Sequence, residues 1–305
     1  MINNHLTDEE RVELAKMEYN SLQIGDDIII DDHFVGSVTR NVYAKDGMQA
    51  YLIENSNGRQ KEITVLFKGS YGFKKGNPTT WKDEWLNTNL PILRAMLTRK
   101  RRIPAQLKSA AYYLNRWVSE FPNARFYIYG HSLGAINAQF AIVNCHHPEL
   151  ISGAYLYEGT NIWRLLNHKE RLIANEYRQR INAYVDIYDP VTLGITATHK
   201  MVGKLHYVDS EPMSPIKQHM WGGYRFDSRG RLLEKKIDAD FLQFSSAQNR
   251  LLNQTSRWSD MMSEAYSFSF ADLKKMTSDK FSKLKYEILT DNFFKQFSED
   301  EKDEK

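Results

Sequence analysis

The chain contains a single cysteine, Cys145, among 305 residues. One thiol cannot form an internal disulfide, so nothing in the composition requires an oxidising compartment. The neighbouring His146 and His147 do not complete a zinc motif, since adjacent residues on a helix point apart. We therefore expect no metal site, and we interpret Cys145 as a small buried side chain.

Long apolar runs and a strong charge imbalance are also missing. No stretch approaches the roughly 20 apolar residues that span a membrane, and residues 1–20 lack the apolar core of a signal peptide. The formal net charge is only +3, which does not suggest nucleic-acid binding. We expect a soluble protein that is cytoplasmic or exported without a cleaved signal, for example by a type VII-like route.

Apolar runs typical of strands alternate with helical patterns over most of the chain. Residues 63–67, 126–129 and 183–188 are rich in β-branched and aromatic side chains. The apolar positions of residues 104–120 instead recur at helical spacing. We also predict a helix that begins at Thr7, a helix at residues 161–166 and a hairpin tip at residues 57–58. This alternation predicts an α/β fold with a mainly parallel central sheet flanked by helices.

The composition changes after Ile237, beyond which the sequence has neither glycine nor proline. We predict an α/β domain at residues 1–237, a helical extension at 238–297 and a charged, disordered tail at 298–305. The extension has two interpretations: helices packed against the α/β domain, or a segment that binds a secretion or targeting partner.

The sequence Gly-His-Ser-Leu-Gly at residues 130–134 matches the pattern G-x-S-x-G. The pattern alone is weak, because it arises by chance in roughly one chain in ten of this length. Here a strand pattern precedes it and a small-residue helix pattern follows, as a serine on a sharp strand-to-helix turn requires. We predict that Ser132 is a nucleophile and that His131 is a packing residue beside it.

A serine nucleophile needs an imidazole to take its proton and a carboxylate to orient that imidazole. Asp189 precedes a proline at the predicted end of a strand, where functional loops leave a parallel sheet, and we prefer it to Asp186 within the strand. His219 follows a proline-containing loop and is the preferred base. His206, in a short strand, is the second choice, and His199 stays open.

The negative oxygen of an acyl intermediate requires N–H donors. One comes from the residue after the nucleophile, Leu133, and the other from an earlier strand-to-loop junction. Gly69 and Ser70, which follow the buried strand pattern at residues 63–67, are the best candidates for that junction.

Three stretches resemble the class 3 (fungal-type) lipase family: Leu-Phe-Lys-Gly-Ser at 66–70, Gly-His-Ser-Leu-Gly-Ala at 130–135 and Asp-Pro-Val at 189–191. The resemblance covers residues 28–233. It implies an α/β-hydrolase fold, no cofactor and Ser70 as an oxyanion donor. Lys68 stands where the family has arginine, and the surroundings of His219 look more like a bacterial lipase-like branch.

The resemblance also implies a lid between the oxyanion loop and the next helix. Residues 71–97 are rich in aromatic and aliphatic side chains, and Arg-Lys-Arg-Arg follows at 99–102. One interpretation is an apolar surface that opens on lipid beside cations that attract anionic head groups. The alternative is a core-facing helix with a solvated, charged end.

The leading functional hypothesis is a serine hydrolase that cleaves lipid esters, either a lipase or a phospholipase A. A second hypothesis keeps the same three residues in an acyltransferase, a thioesterase or a peptidase. A third is a hydrolase-like binding module without activity, in which the helical extension binds the partner.

Overall fold

A computed structural model describes most of the first 246 residues, and all of these belong to the first of two units into which the chain divides, Met1–Gln254. Within the described part, no helix is long and apolar enough to cross a membrane. The described residues are 1–56, 60–69, 103–189, 191–192, 199–214, 217–239, 241–243 and 245–246.

The described residues form one eight-stranded sheet whose strands lie side by side in chain order. The first four strands pair antiparallel, and each later strand pairs parallel with the one before it. Such parallel pairing requires crossover connections, and the described residues place an α-helix in the first three of the four. The strands are β1 Asp27–Ile30, β2 His33–Tyr43, β3 Gln49–Asn55, β4 Glu62–Phe67, β5 Arg125–His131, β6 Ile151–Tyr157, β7 Ile181–Val185 and β8 Lys204–Tyr207.

Two of the described helices begin with a capping box, in which two residues three positions apart each accept the other's backbone N–H group with their side chain. Thr7 and Glu10 form the box of α1, and Asn167 and Glu170 form that of α4. The predicted helix start at Thr7 is therefore confirmed. The α-helices are α1 Asp8–Lys16, α2 Ala105–Glu120, α3 Leu133–Val143 and α4 His168–Glu176. Short 3-10 turns lie at Ile2–Asn4, Met17–Tyr19, Pro148–Leu150 and Arg178–Arg180, and a kinked helical turn lies at Gln218–Gly222.

The sheet is covered on both faces, as a parallel sheet requires. Helices α2 and α3 pack on one face around buried Trp117, Phe126 and Ile136. On the other face α1 packs against a layer of tyrosines from the central strands. Strand β4 is buried at every position, and its register pairs Phe67 with Gly130 of β5. The loop after β4 and the turn after β5 therefore leave the same edge of the sheet side by side.

Two predicted elements differ in the structure. Residues 161–166 form a single turn and not a helix, closed by the bond from the Leu165 N–H group to the Ile162 carbonyl oxygen at 2.8 Å. Strand β7 ends at Val185, so Asp186 follows the strand and does not lie within it. The Glu158 carboxylate accepts the Asp186 N–H group, which a further strand residue would have donated to the sheet.

The described residues include only the beginning of the helical extension predicted at 238–297. Phe241, inside the predicted extension, is buried and packs edge-on against Tyr207 of β8, with ring centroids 5.0 Å apart. The rest of the extension, the charged tail and the hairpin tip predicted at residues 57–58 lie outside the described residues. The domain boundaries therefore stay predictions.

Candidate functional site

A sharp turn joins β5 to α3 and carries Ser132, whose φ is 55° and ψ is −123°. An L-residue adopts such positive φ only under strain, which is common at functional positions. The flanking glycines make the turn possible. A Cβ atom on Gly130 would lie 2.6 Å from the backbone of Gly134, and one on Gly134 would lie 2.1 Å from the Phe67 carbonyl oxygen. The sequence pattern therefore has a steric cause.

Ser132, His219 and Asp189 form a hydrogen-bonded series. The Ser132 Oγ lies 2.8 Å from His219 Nε2, and His219 Nδ1 lies 2.7 Å from Asp189 Oδ2. All three side chains are buried. Because an ionised carboxylate only accepts, Nδ1 carries the imidazole proton, and Nε2 is left to accept the serine proton. Residues that stand 87 positions apart in the chain thus meet in the order that general-base activation of a serine needs.

Asp189 is held by the backbone that follows it. Its Oδ1 accepts the Val191 N–H group at 2.9 Å, which leaves Oδ2 for the histidine. The Thr192 hydroxyl donates to the Asp189 carbonyl oxygen at 2.9 Å. These bonds fix the carboxylate in the loop after β7, so its second oxygen stays aimed at His219.

His131 lies beside the turn but does not face the serine. Its Nε2 lies 2.8 Å from the His219 carbonyl oxygen and its Nδ1 lies 2.6 Å from the Tyr19 hydroxyl. A carbonyl can only accept, so the proton sits on Nε2 and Tyr19 donates to Nδ1. Burial and the nearby His219 ring hold the pKa of His131 well below its usual range, which keeps it neutral. His131 also stacks on Trp221, with ring centroids 3.8 Å apart.

Two further buried carboxyl groups lie behind Asp189. Asp186 accepts from the Gln218 side chain, which precedes His219, and Glu158 accepts from the Tyr224 hydroxyl at 2.5 Å. Burial raises the pKa of Asp186 to about 6. Burial, followed by the charges of Asp189 and Asp186, raises the pKa of Glu158 well above its usual range. The two groups join the loop that carries Asp189 to the loop that carries His219.

Glu158 and Gln218 were not among the residues predicted from the sequence. Glu158 directly follows β6 and has a φ of 50°, so an acid at the end of a strand was the signal that could have found it. For Gln218 the only signal was its position beside His219. Its partner, Asp186, lies 32 residues earlier in the chain, and local patterns do not report contacts of that range.

The other histidines considered from the sequence lie elsewhere. His206 is in β8, where its Nδ1 lies 2.8 Å from Glu234 Oε1 and its Nε2 lies 2.9 Å from Asn182 Oδ1. It also stacks on Tyr184. His199 is exposed, and its carbonyl oxygen accepts from Arg178.

Of the two predicted oxyanion donors, one lies within the described residues and the other does not. Leu133 is the first residue of α3, where N–H groups have no partner within the helix. Ser70 lies outside the described residues, as do the predicted lid and the basic run at 99–102. The preceding Gly69 is described: its N–H group donates to Glu18 Oε1 at 2.9 Å.

For the described residues, the mainly parallel sheet, its helical layers and the serine-bearing turn after β5 are those of an α/β-hydrolase fold, which confirms this part of the predicted fold class. Comparison with protein-family models and with curated sequences finds no match.

Three solved structures with partial similarity are fungal lipases. A Rhizomucor miehei lipase in complex with its propeptide is 12% identical, with a TM-score of 0.40, over 65% of this chain and 66% of that one. A fungal lipase–inhibitor complex is 13% identical, with a TM-score of 0.42, over 68% and 80%. A triacylglycerol lipase from Penicillium expansum is 13% identical, with a TM-score of 0.38, over 65% and 76%. At TM-scores below 0.5, these similarities carry no argument about the family or activity of this chain.

Proposed function

We propose that this protein is a serine hydrolase that cleaves carboxylic esters of lipids. The observation that carries the proposal is the bonded series from Ser132 through His219 to Asp189, with contacts of 2.8 Å and 2.7 Å. A serine on an ordinary strand-to-helix connection would have no reason to meet a histidine 87 residues later.

In the proposed reaction His219 Nε2 takes the Ser132 proton while Oγ bonds to the acyl carbon. The carbonyl electrons move to oxygen, which the N–H group of Leu133 and a second donor, proposed as Ser70, stabilise. His219 then gives its proton to the departing alkoxide as the ester C–O bond breaks. Water, activated by the same imidazole, cleaves the acyl-enzyme and returns the proton to Ser132. Asp189 stays ionised and stabilises the imidazolium.

The proposal that the substrate is a lipid rests on the sequence resemblance to class 3 lipases. The proposal that the protein belongs to a bacterial lipase-like branch of that family rests on the same resemblance. The apolar residues at 71–97 and the cations at 99–102 fit a surface that contacts anionic lipid. Within the proposed class of lipid esters, the substrate is a triacylglycerol for a lipase or a phospholipid for a phospholipase A. Replacement of the four cations at 99–102 by glutamine should weaken binding to anionic vesicles, and unchanged binding would remove the membrane contact from the proposal.

The decisive test compares wild type, Ser132→Ala and Ser109→Ala in hydrolysis of p-nitrophenyl butyrate and in labelling by a fluorophosphonate probe. Ser109 is a half-buried serine of α2 that bonds Asp46 and is not part of the bonded series, so it is a matched control. Ser132→Ala should lose hydrolysis and labelling, and Ser109→Ala should keep both. Full hydrolysis by Ser132→Ala would refute the mechanism.

The same proteins separate the remaining hypotheses through their products. Free fatty acid from phospholipid or triacylglycerol supports the lipid-ester proposal. Transfer to added alcohols, or cleavage of thioesters or peptides in its place, would identify the second hypothesis. A folded wild-type protein that the probe does not label would favour a binding module, with the extension at 238–297 as the contact for a secretion or targeting partner.

A further inference from the structure

Glu18 is a buried carboxylate that takes no part in the bonded series described above. It lies in the 3-10 turn Met17–Tyr19, directly after α1, and none of its surface is exposed. Burial of a carboxylate costs folding free energy unless hydrogen bonds replace its lost water. Burial accordingly raises the pKa of Glu18 well above its usual range, against the opposing effect of its N–H donors and the Lys68 charge.

Both oxygens of Glu18 accept backbone N–H groups from the two segments that bound the proposed oxyanion hole. Oε1 accepts from Gly69 at 2.9 Å, and Oε2 accepts from His131 at 3.1 Å. Gly69 is one peptide bond before Ser70, and His131 is one peptide bond before Ser132. One rigid, planar group therefore sets the distance between the loop after β4 and the turn after β5.

The packing around Gly69 shows how tightly the loop is seated. A Cβ atom there would lie 2.4 Å from the Tyr19 hydroxyl oxygen, 3.0 Å from Glu18 Oε1 and 3.0 Å from the His131 carbonyl oxygen. Such distances leave no room for a side chain, so the loop backbone lies directly against the turn that carries Glu18.

The same 3-10 turn also reaches the histidine loop. The Tyr19 hydroxyl lies 2.6 Å from His131 Nδ1, and His131 Nε2 donates to the His219 carbonyl oxygen at 2.8 Å. Residues 18 and 19 thus contact, directly or through His131, the three segments that must be aligned for acyl transfer.

From these contacts we propose that Glu18 is a positioning residue, which fixes the oxyanion loop at Gly69 against the nucleophile turn at His131. The inference rests on the proposed ester hydrolysis. Its physical basis is that stabilisation of the oxyanion depends on donors being in place before the charge develops, and a displacement of about 1 Å can cost on the order of a hundredfold in rate.

The test is Glu18→Gln, which keeps the shape but places an NH₂ group against one of two N–H donors. The control is Glu13→Gln, the same change at an exposed position of α1 that pairs with Lys16. Each protein is assayed with p-nitrophenyl butyrate and with the matching thionoester, whose sulfur is a larger and weaker acceptor in an oxyanion hole. Labelling of Ser132 by a fluorophosphonate and thermal unfolding are measured in parallel.

We expect Glu18→Gln to lower kcat for the ester by about tenfold or more at nearly unchanged KM. The ratio of ester to thionoester kcat/KM should fall with it, while Glu13→Gln stays within about twofold of wild type. Unchanged kcat, or an equal loss on both substrates as a merely structural role would give, overturns the proposal. If Glu18→Gln does not fold, Gly69→Ala displaces the same contact from the loop side, and a wild-type ratio there overturns the proposal as well.

Failure of the proposed function looks different. A folded wild-type protein that neither turns over ester nor reacts with the probe overturns ester hydrolysis, and the role of Glu18 with it. An active wild type whose Glu18→Gln variant matches it overturns the positioning role alone.

Discussion

The change Gly134→Ala tests whether the turn at Ser132 depends on contact between α3 and β4. Gly134 is in the first turn of α3, and an added Cβ atom would lie 2.1 Å from the carbonyl oxygen of Phe67. Ordinary contacts begin near 3.4 Å, so helix and strand must separate by roughly 1.3 Å. The atom met is backbone in a fully buried strand, which cannot rotate away as a side chain could.

Two opposing effects set the size of the result. Alanine favours a helix interior over glycine by about 0.5–1 kcal/mol, whereas overpacking a core costs about 1–3 kcal/mol. The clash should therefore win by about 1–2 kcal/mol, which lowers the Tm by about 2–8 °C in a domain of this size. The effect on rate should be larger, since a shift of about 1 Å at the nucleophile can cost about a hundredfold.

The assay is hydrolysis of p-nitrophenyl butyrate together with thermal unfolding followed by circular dichroism. Gly153→Ala is the matched control, because the same change in β6 meets only side-chain atoms of Tyr127 and Tyr155 at 3.3–3.4 Å. We expect Gly134→Ala to lose most activity and Gly153→Ala to keep it. Wild-type kcat and Tm in Gly134→Ala would refute the reasoning that the pattern at 130–134 is steric in origin.

Three further predictions concern the acids and the first helix. Asp189→Asn should lower kcat by about 10⁴-fold, because an amide does not hold the His219 tautomer, and steady-state kinetics measures this; a loss below tenfold would contradict its assigned role. Asp186, whose pKa is raised to about 6, contributes stability that is complete below about pH 4 and is lost as the pH rises through 6. The Tm of Asp186→Asn should therefore vary less with pH over this window than that of wild type, and parallel profiles would speak against it. Thr7→Ala removes the cap of α1 and should cost about 1 kcal/mol of unfolding free energy, seen in urea titration, with unchanged stability as the contrary result.

Local patterns accounted for the parts of this protein that depend on neighbouring residues. The capping box at Thr7, the buried strand β4 and the strand-to-helix turn around Ser132 each follow from steric or hydrogen-bonding rules that act within a few positions. The α/β class followed because strands and helices alternate. The end of β7 was predicted at residue 188 but lies at Val185, since the competing acceptor, Glu158, comes from the end of another strand.

Rules that act within a few positions did not predict which distant residues meet at the candidate site. In the sequence, only the local pattern around each residue distinguishes His219, His206 and His199. Which of them reaches Ser132 depends on where its segment lies relative to the end of the sheet that carries the serine. Glu158, Gln218 and Glu18 act on partners 28 to 113 residues away. Their roles exist only once the strands align their carboxyl ends.

The sequence by itself determined the local bend at residues 130–134 and the alternation that builds a parallel sheet, because sterics and hydrophobic periodicity act at short range. Only the tertiary structure decided which imidazole faces Ser132 and which carboxylates lie behind it. The physical reason is that hydrogen bonds between distant segments form where packing of the whole sheet places them, and no local pattern encodes that placement.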